Sequence, residues 1–210
     1  MPTSTFFRLP QEKRTRLLDA AWDEFVCVPY AEASINRIIR RANIPRGSFY
    51  QYFVDKRDLF LFLIEQTCDL FFELFRQELK RTRGDIFDTM SGMFDRLFSA
   101  DGTADPRFSR SFTLLKLNDS VDVHRLFFER AHSEPNSRQQ LYELIDTSRL
   151  KSAGTEYLDC IFTLLGSALG CAVVQTLQSA ELLDAERAQL HQCIKIIRDG
   201  SAVPEGGQNG

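Results

Sequence analysis

The fold of this chain is decided by residues 34–56, which read SINRIIRRANIPRGSFYQYFVDK. Apolar residues recur three and four positions apart on both sides of Asn43-Ile44-Pro45, which is the spacing of helices and not of strands. The stretch predicts two short helices, 35–42 and 46–53, with Asn43 closing the first in the left-handed conformation. Ser34 is placed to cap the first helix. Two short helices joined by so tight a turn predict a helix-turn-helix.

The second of these helices carries the groups that a helix needs in the major groove of a duplex. Arg46 can form two hydrogen bonds with guanine, Gly47 lets the backbone approach closely, and Ser48 can donate or accept. Phe49 and Phe53 lie four positions apart and are expected in the core. Hydroxyl and amide groups further along, and Lys56 beyond, are suited to phosphate. The predicted DNA-binding residues are Ser34, Pro45, Arg46, Gly47, Ser48, Tyr50, Gln51, Tyr52 and Lys56.

The sequence around this pair is also helical. A helix that starts near Pro10 and ends before Pro29 is predicted upstream. Asp55 can cap a long helix that continues to about Thr82 and bridges to the rest of the chain. Breaks at Gly84, at 100–106, near 118–119 and at Pro135 separate shorter helices, and two more are predicted at 155–179 and 184–198.

Composition agrees with a folded, helical protein. Of 210 residues, 43% are hydrophobic and 26% charged, which excludes a disordered or collagen-like chain. Eighteen Phe against one Trp favour a thick apolar core or an apolar cavity. The net charge of −3 argues against general affinity for nucleic acid, but residues 1–60 hold ten Lys and Arg against seven Asp and Glu. The basic excess is therefore local to the helix-turn-helix.

The N-terminal residues resemble the N-terminal domain of the TetR family of bacterial transcriptional repressors. The resemblance covers residues 9–59, and its most specific part is the string Tyr50-x-Tyr52-Phe53-x-x-Lys56. Asn43 and Pro29 stand where glycine is common in the family, and Ile39 where alanine is common. The resemblance implies a helix-turn-helix domain at 1–58 and a helical ligand-binding and dimerisation domain at 59–199. The four glycines among residues 200–210 predict a disordered tail.

Beyond residue 60 no motif carries function. Aromatic and apolar residues on the bridge helix and the helix after it could line an apolar cavity, or they could fill an ordinary core. We expect a small apolar or aromatic ligand that releases the protein from its operator. The predicted lining residues are Phe60, Thr67, Phe71, Phe87, Met90 and Phe94.

The uncharged stretch between Asp159 and Glu181 has two interpretations. It is long enough for a membrane span, but its flanks lack the aromatic belt and basic cluster of one. We therefore expect a soluble helix whose Gly166 and Gly170 permit close approach of a second helix, as in a homodimer. The predicted dimerisation residues are Cys160, Leu164, Gly166, Gly170, Val174, Leu190, Ile194 and Ile197.

Other functions are disfavoured. The sequence contains no phosphate loop, metalloprotease motif or nucleophile elbow, so we expect no enzyme and no cofactor. His124, His132 and His191 are too far apart to predict a metal site. Five dispersed cysteines and the lack of an apolar leader predict a cytoplasmic protein whose thiols are mostly buried, with a redox role left open. The alternatives are a constitutive DNA-binding regulator, a helix-turn-helix used only for protein contact, and an all-helical enzyme.

Overall fold

The structure is a computed structural model that describes residues 2–100, 102–106, 108–118 and 141–203. These residues are mostly helical and form no strand, only isolated bridges of Phe98 with Ala104 and of Leu150 with Ala202. The all-α prediction is confirmed. The helices are α1 (Ser4–Phe7), α2 (Gln11–Phe25), α3 (Ile35–Arg41), α4 (Arg46–Tyr52), α5 (Lys56–Arg81), α6 (Ile86–Leu97), α7 (Ser109–Leu117), α8 (Thr155–Gln178) and α9 (Leu183–Ser201).

The turns form where local chemistry predicts them. Ser34 is the residue before α3, although its side chain does not make the predicted capping hydrogen bond, and Asn43 has φ 51° in the turn that follows. The Asp55 side chain accepts from the Asp58 amide at 2.8 Å, which caps α5. Arg83 and Gly84 both have positive φ between α5 and α6. Helix α1 was not predicted, because one turn is too short to show a period.

Two compact units divide the described residues. The first holds 2–69, 106 and 108–118, and the second holds 70–100, 102–105 and 141–203. Helix α5 contributes residues to both units. The division falls later than the expected boundary at residue 58, and α7 belongs with the helix-turn-helix.

The second unit is built on α6, α8 and α9, which pack against one another. Helix α8 is long and apolar enough to cross a membrane, although only a third of its most apolar window is buried within the protein. Leu158, Ile161 and Leu165 lie on its buried face, as the helical period requires.

Two expectations are corrected. Gly200 and Ser201 continue α9 and do not begin a tail, because the Ser201 carbonyl accepts from the Lys151 amide at 2.9 Å and holds the helix end in place. Cys68 is buried as expected, but Cys27, Cys160 and Cys171 are exposed. His124, His132, the break at Pro135 and residues 204–210 lie outside the described residues.

A buried carboxylate joins α5 to α6. Glu78 is fully buried, and its oxygens accept from Arg81 Nε at 2.6 Å and Arg96 Nη1 at 2.7 Å. Burial raises the pKa of Glu78, but the hydrogen bonds with the two arginines outweigh that effect and hold the pKa below its ordinary value. Gly92 of α6 lies against this group, and a Cβ there would meet Glu78 Oε2 at 2.6 Å. A larger residue at position 92 would therefore require the side chains of the ion pair to shift.

The substitution Glu78→Gln should lower the free energy of unfolding by ~1–3 kcal/mol at neutral pH, because it removes a buried acceptor of charged hydrogen bonds. The lowered pKa makes this contribution full above about pH 4.3 and lost as pH falls through the folded-state pKa. Urea unfolding at several pH values measures it. Glu73→Gln, on the exposed face of the same helix, is the control and should change little. A variant as stable as wild type at neutral pH would contradict the prediction.

Candidate DNA-binding surface

Helix α4 divides cleanly into a buried face and an exposed face. Phe49 and Phe53 are 0% exposed, and their rings lie 5.9 Å apart. The helix begins after Pro45, whose carbonyl accepts from the Ser48 amide at 3.0 Å. Because two aromatic anchors bury one side, the other side is presented to solvent. The predicted DNA-binding residues Pro45, Arg46, Gly47, Tyr50 and Gln51 are exposed, and Ser48 and Tyr52 are half-buried.

The start of α3 is held by a buried glutamate of α2. Glu24 accepts from the Ser34 amide at 2.8 Å and from Arg37 Nε at 2.8 Å. Burial raises the pKa of Glu24, but the hydrogen bonds from Arg37 and from the Ser34 amide hold it below its ordinary value. The Ser34 side chain makes no capping hydrogen bond, so among the described residues its hydroxyl is left for another partner. This placement agrees with a phosphate-binding role for Ser34.

Lys56 is placed differently from the prediction. Its Nζ donates to three carbonyls of the segment between α2 and α3, those of Tyr30 at 2.7 Å, Ala31 at 3.2 Å and Ala33 at 3.0 Å. The ammonium also lies 4.6 Å from the centre of the Tyr30 ring. With all its donors directed at the protein, Lys56 tethers the segment that leads into α3. Its side chain is therefore not positioned for the predicted contact with phosphate.

Helix α7 fixes the same segment from another side. The Tyr30 amide donates to Asn118 Oδ1 at 2.8 Å, and the Asn118 amide group donates to Leu114 at 2.8 Å. At the other end of α7, Arg110 Nη1 lies 2.8 Å from Asp19 Oδ1 of α2. Tyr30 therefore connects α5 and α7 to the entrance of the helix-turn-helix.

Comparison with known proteins agrees with this geometry. The family model for bacterial regulatory proteins of the TetR family matches residues 17–63, which contain the second half of α2, all of α3 and α4, and the start of α5. A TetR family transcriptional regulator from Chloroflexus aurantiacus is 30% identical, and the match covers 97% of this chain and 100% of that chain with a TM-score of 0.44. The chain belongs to the TetR family. It is therefore a DNA-binding regulator of transcription.

Other solved structures of TetR-family proteins share the fold. A transcription regulator from Shewanella sp. PV-4 is 16% identical, and the match covers 93% of this chain and 100% of that chain with a TM-score of 0.61. SmeT, the repressor of the Stenotrophomonas maltophilia multidrug efflux pump SmeDEF, is 18% identical, covers 93% of this chain and 94% of its own, and has a TM-score of 0.60. No curated protein matched the chain.

The predicted ligand-lining residues of this TetR-family chain are all buried, but they fall in different units. Phe60 packs on Phe25 with ring centres 5.2 Å apart in the first unit. Thr67 is also in the first unit, and its hydroxyl lies 3.1 Å from both the Leu63 carbonyl and the Ser111 hydroxyl. The remaining members, Phe71, Phe87, Met90 and Phe94, belong to the second unit.

The predicted dimerisation residues separate by exposure. Leu164 is 55% exposed and Val174 49%, and Cys160 and Gly170 are exposed on the same face of α8. Gly166 and Ile197 are half-buried. On α9, however, Leu190 and Ile194 are 2% and 5% exposed, because they pack into the interior of their own unit. The large apolar residue that this helix exposes is instead Ile196.

Several residues of the surface were missed from the sequence. Glu24 gave a usable signal, since it stands among the apolar positions 17, 20, 21 and 25 of α2 and therefore needs a buried partner. Tyr30 and Asn118 gave none, because their partners lie far along the chain. Phe6 is fully buried in α1, and the only signal for it in the sequence is the apolar pair Phe6-Phe7 upstream of Pro10.

Lys56→Met should lower the free energy of unfolding of the first unit by ~1–3 kcal/mol, because it removes the ammonium that binds three carbonyls and a ring. Chemical denaturation followed by circular dichroism measures the change. Arg57→Met, which removes the neighbouring exposed cation, is the control. The salt dependence of duplex binding should be unchanged by Lys56→Met. A fall of about one in its slope would show that Lys56 binds phosphate after all.

Proposed function

We propose that this TetR-family regulator is a cytoplasmic homodimeric repressor that reads its operator with α4 and is released by a small apolar ligand. The observation that supports operator reading is the exposed face of α4, anchored from behind by Phe49 and Phe53. Arg46 lies in its first turn, the part of a recognition helix that meets base edges. Ser34, Tyr50, Gln51 and Tyr52 surround it with uncharged groups for phosphate.

Dimer formation rests on the exposed face of α8. Five apolar or small residues are exposed on one side of α8, where Ser167 is also exposed: Cys160, Leu164, Gly170, Cys171 and Val174. Apolar patches of this kind on a soluble protein mark a surface that another protein covers. A second copy of the same face would cover it, and a dimer would give two recognition helices for two half-sites. The same pairing would leave no lipid-facing role for α8.

Ligand response rests on the aromatic interior of the second unit. Phe71, Phe87, Met90 and Phe94 are at most 9% exposed and would supply the wall of an apolar site. The alternative is a constitutive regulator. Two observations in the first unit favour that alternative. The Thr67 hydroxyl is hydrogen-bonded to Ser111 and Phe60 packs on Phe25, so neither residue is left to line a ligand site in the second unit. Thermal melting with a panel of apolar compounds discriminates them, since only a ligand-binding protein gains stability.

Arg46→Ala should weaken binding to a duplex selected from a random pool by ~1–3 kcal/mol and relax the preference at one base pair. Arg46→Lys keeps the charge but not the two-pronged geometry, so it should lose much of the same preference. Arg40→Ala, which removes an exposed cation from α3, is the control and should weaken selected and random duplexes alike. Fluorescence anisotropy with both duplexes measures this. Equal losses on both for Arg46→Ala would remove its base-reading role.

Gly170→Leu should weaken the homodimer at least tenfold, because the added side chain overpacks the helix contact. A Cβ at Gly170 meets nothing within 4 Å inside the protomer, so folding of one chain should be unaffected. Gln77→Leu, which adds a leucine to the exposed part of α5, is the control. Sedimentation velocity over a concentration series gives the dimer constant. A wild-type protein that stays monomeric at micromolar concentration would refute the dimer.

A further inference from the structure

The C-terminal end of α4 is closed by the segment that contains α1. The last carbonyls of a helix have no partner within it and need donors from elsewhere. Here the Thr3 amide donates to the Tyr52 carbonyl at 3.0 Å, and the Thr3 hydroxyl donates to the Gln51 carbonyl at 2.6 Å. Thr3, which lies 48 positions before Gln51 in the sequence, therefore supplies both donors.

The use of the Thr3 hydroxyl is unusual for its position. Thr3 is the N-cap residue of α1, where a threonine side chain ordinarily accepts from the amides of its own helix. It makes no such bond here. Its hydroxyl is turned to α4 instead, so the hydrogen-bonding capacity of this residue serves the recognition helix.

An aromatic anchor holds Thr3 in place. Phe6 is fully buried, and its ring centre lies 4.9 Å from that of Phe53 and 5.5 Å from that of Phe62. It is also 6.5 Å from the ring of Tyr52. Tyr52 and Phe53, which end α4, thus pack against Phe6 of α1. Detachment of α1 would therefore expose the core behind the recognition helix.

We propose that Thr3 is a positioning residue for DNA recognition, and that residues 2–7 act as a clamp that keeps the last turn of α4 helical. The proposal rests on operator reading by α4. A seven-residue helix is marginal without tertiary support, and its last turn carries Tyr50, Gln51 and Tyr52. As phosphate contacts, these side chains fix the register in which Arg46 meets the bases, and for that they must be pre-organised, whereas the general attraction of cations to phosphate needs no such order. Loosening the clamp should therefore reduce selectivity more than affinity for random duplex.

The test compares Thr3→Val with Thr3→Ser and Thr5→Val in the full chain. Valine keeps the shape and the amide of Thr3 but removes the hydroxyl, serine restores the hydroxyl, and Thr5 is an exposed threonine of α1 that serves as the matched control. Anisotropy on the selected duplex and on random duplex gives the selectivity. Hydrogen exchange of the amides in 49–53 reports the order of the last turn of α4.

Thr3→Val should weaken binding to the selected duplex about fivefold, leave random duplex within about twofold, and speed exchange of the amides in 49–53. Thr3→Ser and Thr5→Val should behave as wild type. Unchanged selectivity in Thr3→Val, or equal loss on both duplexes, would overturn the clamp, the second because it indicates a direct contact of Thr3 with phosphate. A wild-type protein that prefers no duplex would instead overturn operator reading, and the inference with it.

Discussion

The recognition helix is too short to be stable by itself, and the rest of the first unit is arranged around that constraint. Helix formation has a costly first turn, so seven residues gain too few hydrogen bonds to hold α4 in water. Burial of Phe49 and Phe53 supplies the missing stability and also decides which side chains face outward. The face that we propose meets DNA is in this sense the consequence of a core, because Arg46 and Tyr50 are exposed on the side of α4 opposite the buried Phe49 and Phe53.

The features that sequence could predict are those fixed by neighbouring residues. Asn43 with its positive φ and the start of α5 after the capping Asp55 each depend on a preference of residues within a few positions, whereas Ser34 stands at the start of α3 without the predicted side-chain cap. Lys56 shows the limit. Its position in a family motif indicates that Lys56 matters but not whether its side chain points to DNA or to the protein. Only the folded chain brings three carbonyls of residues 30–33 to its ammonium. Leu190 and Ile194 show the same limit, since a periodic pattern gives two faces without saying which one the protomer itself buries.

Some cations of the first unit have partners within the protein. Arg37 is paired with Glu24, Arg41 lies 3.5 Å from Asp23, and Lys56 is bound to backbone carbonyls. These pairings leave the small positive excess of residues 1–60 unchanged, because Glu24 and Asp23 are already counted in it, but they hold three of its ten cations in place. What remains for DNA is a small number of exposed arginines and a set of uncharged hydroxyl and amide groups. Such a surface gains little from counterion release and must depend more on fitted contacts, for which the order of α4 matters most.

Because DNA recognition depends on fitted contacts, the dimer proposed for the second unit becomes important for selectivity. One module of this size buries only ~600–1,000 Å² against DNA and contacts a few base pairs, which is too little for a genome-scale choice of sites. In the proposed dimer, a second copy that binds a second half-site would supply the missing selectivity. Such a dimer needs an apolar surface for the second copy. Helix α8 exposes Leu164 and Val174 although it buries Leu158, Ile161 and Leu165 in its own chain. The exposed leucine and valine are therefore the residues that we propose a second copy covers, as we propose that DNA binds the exposed arginine.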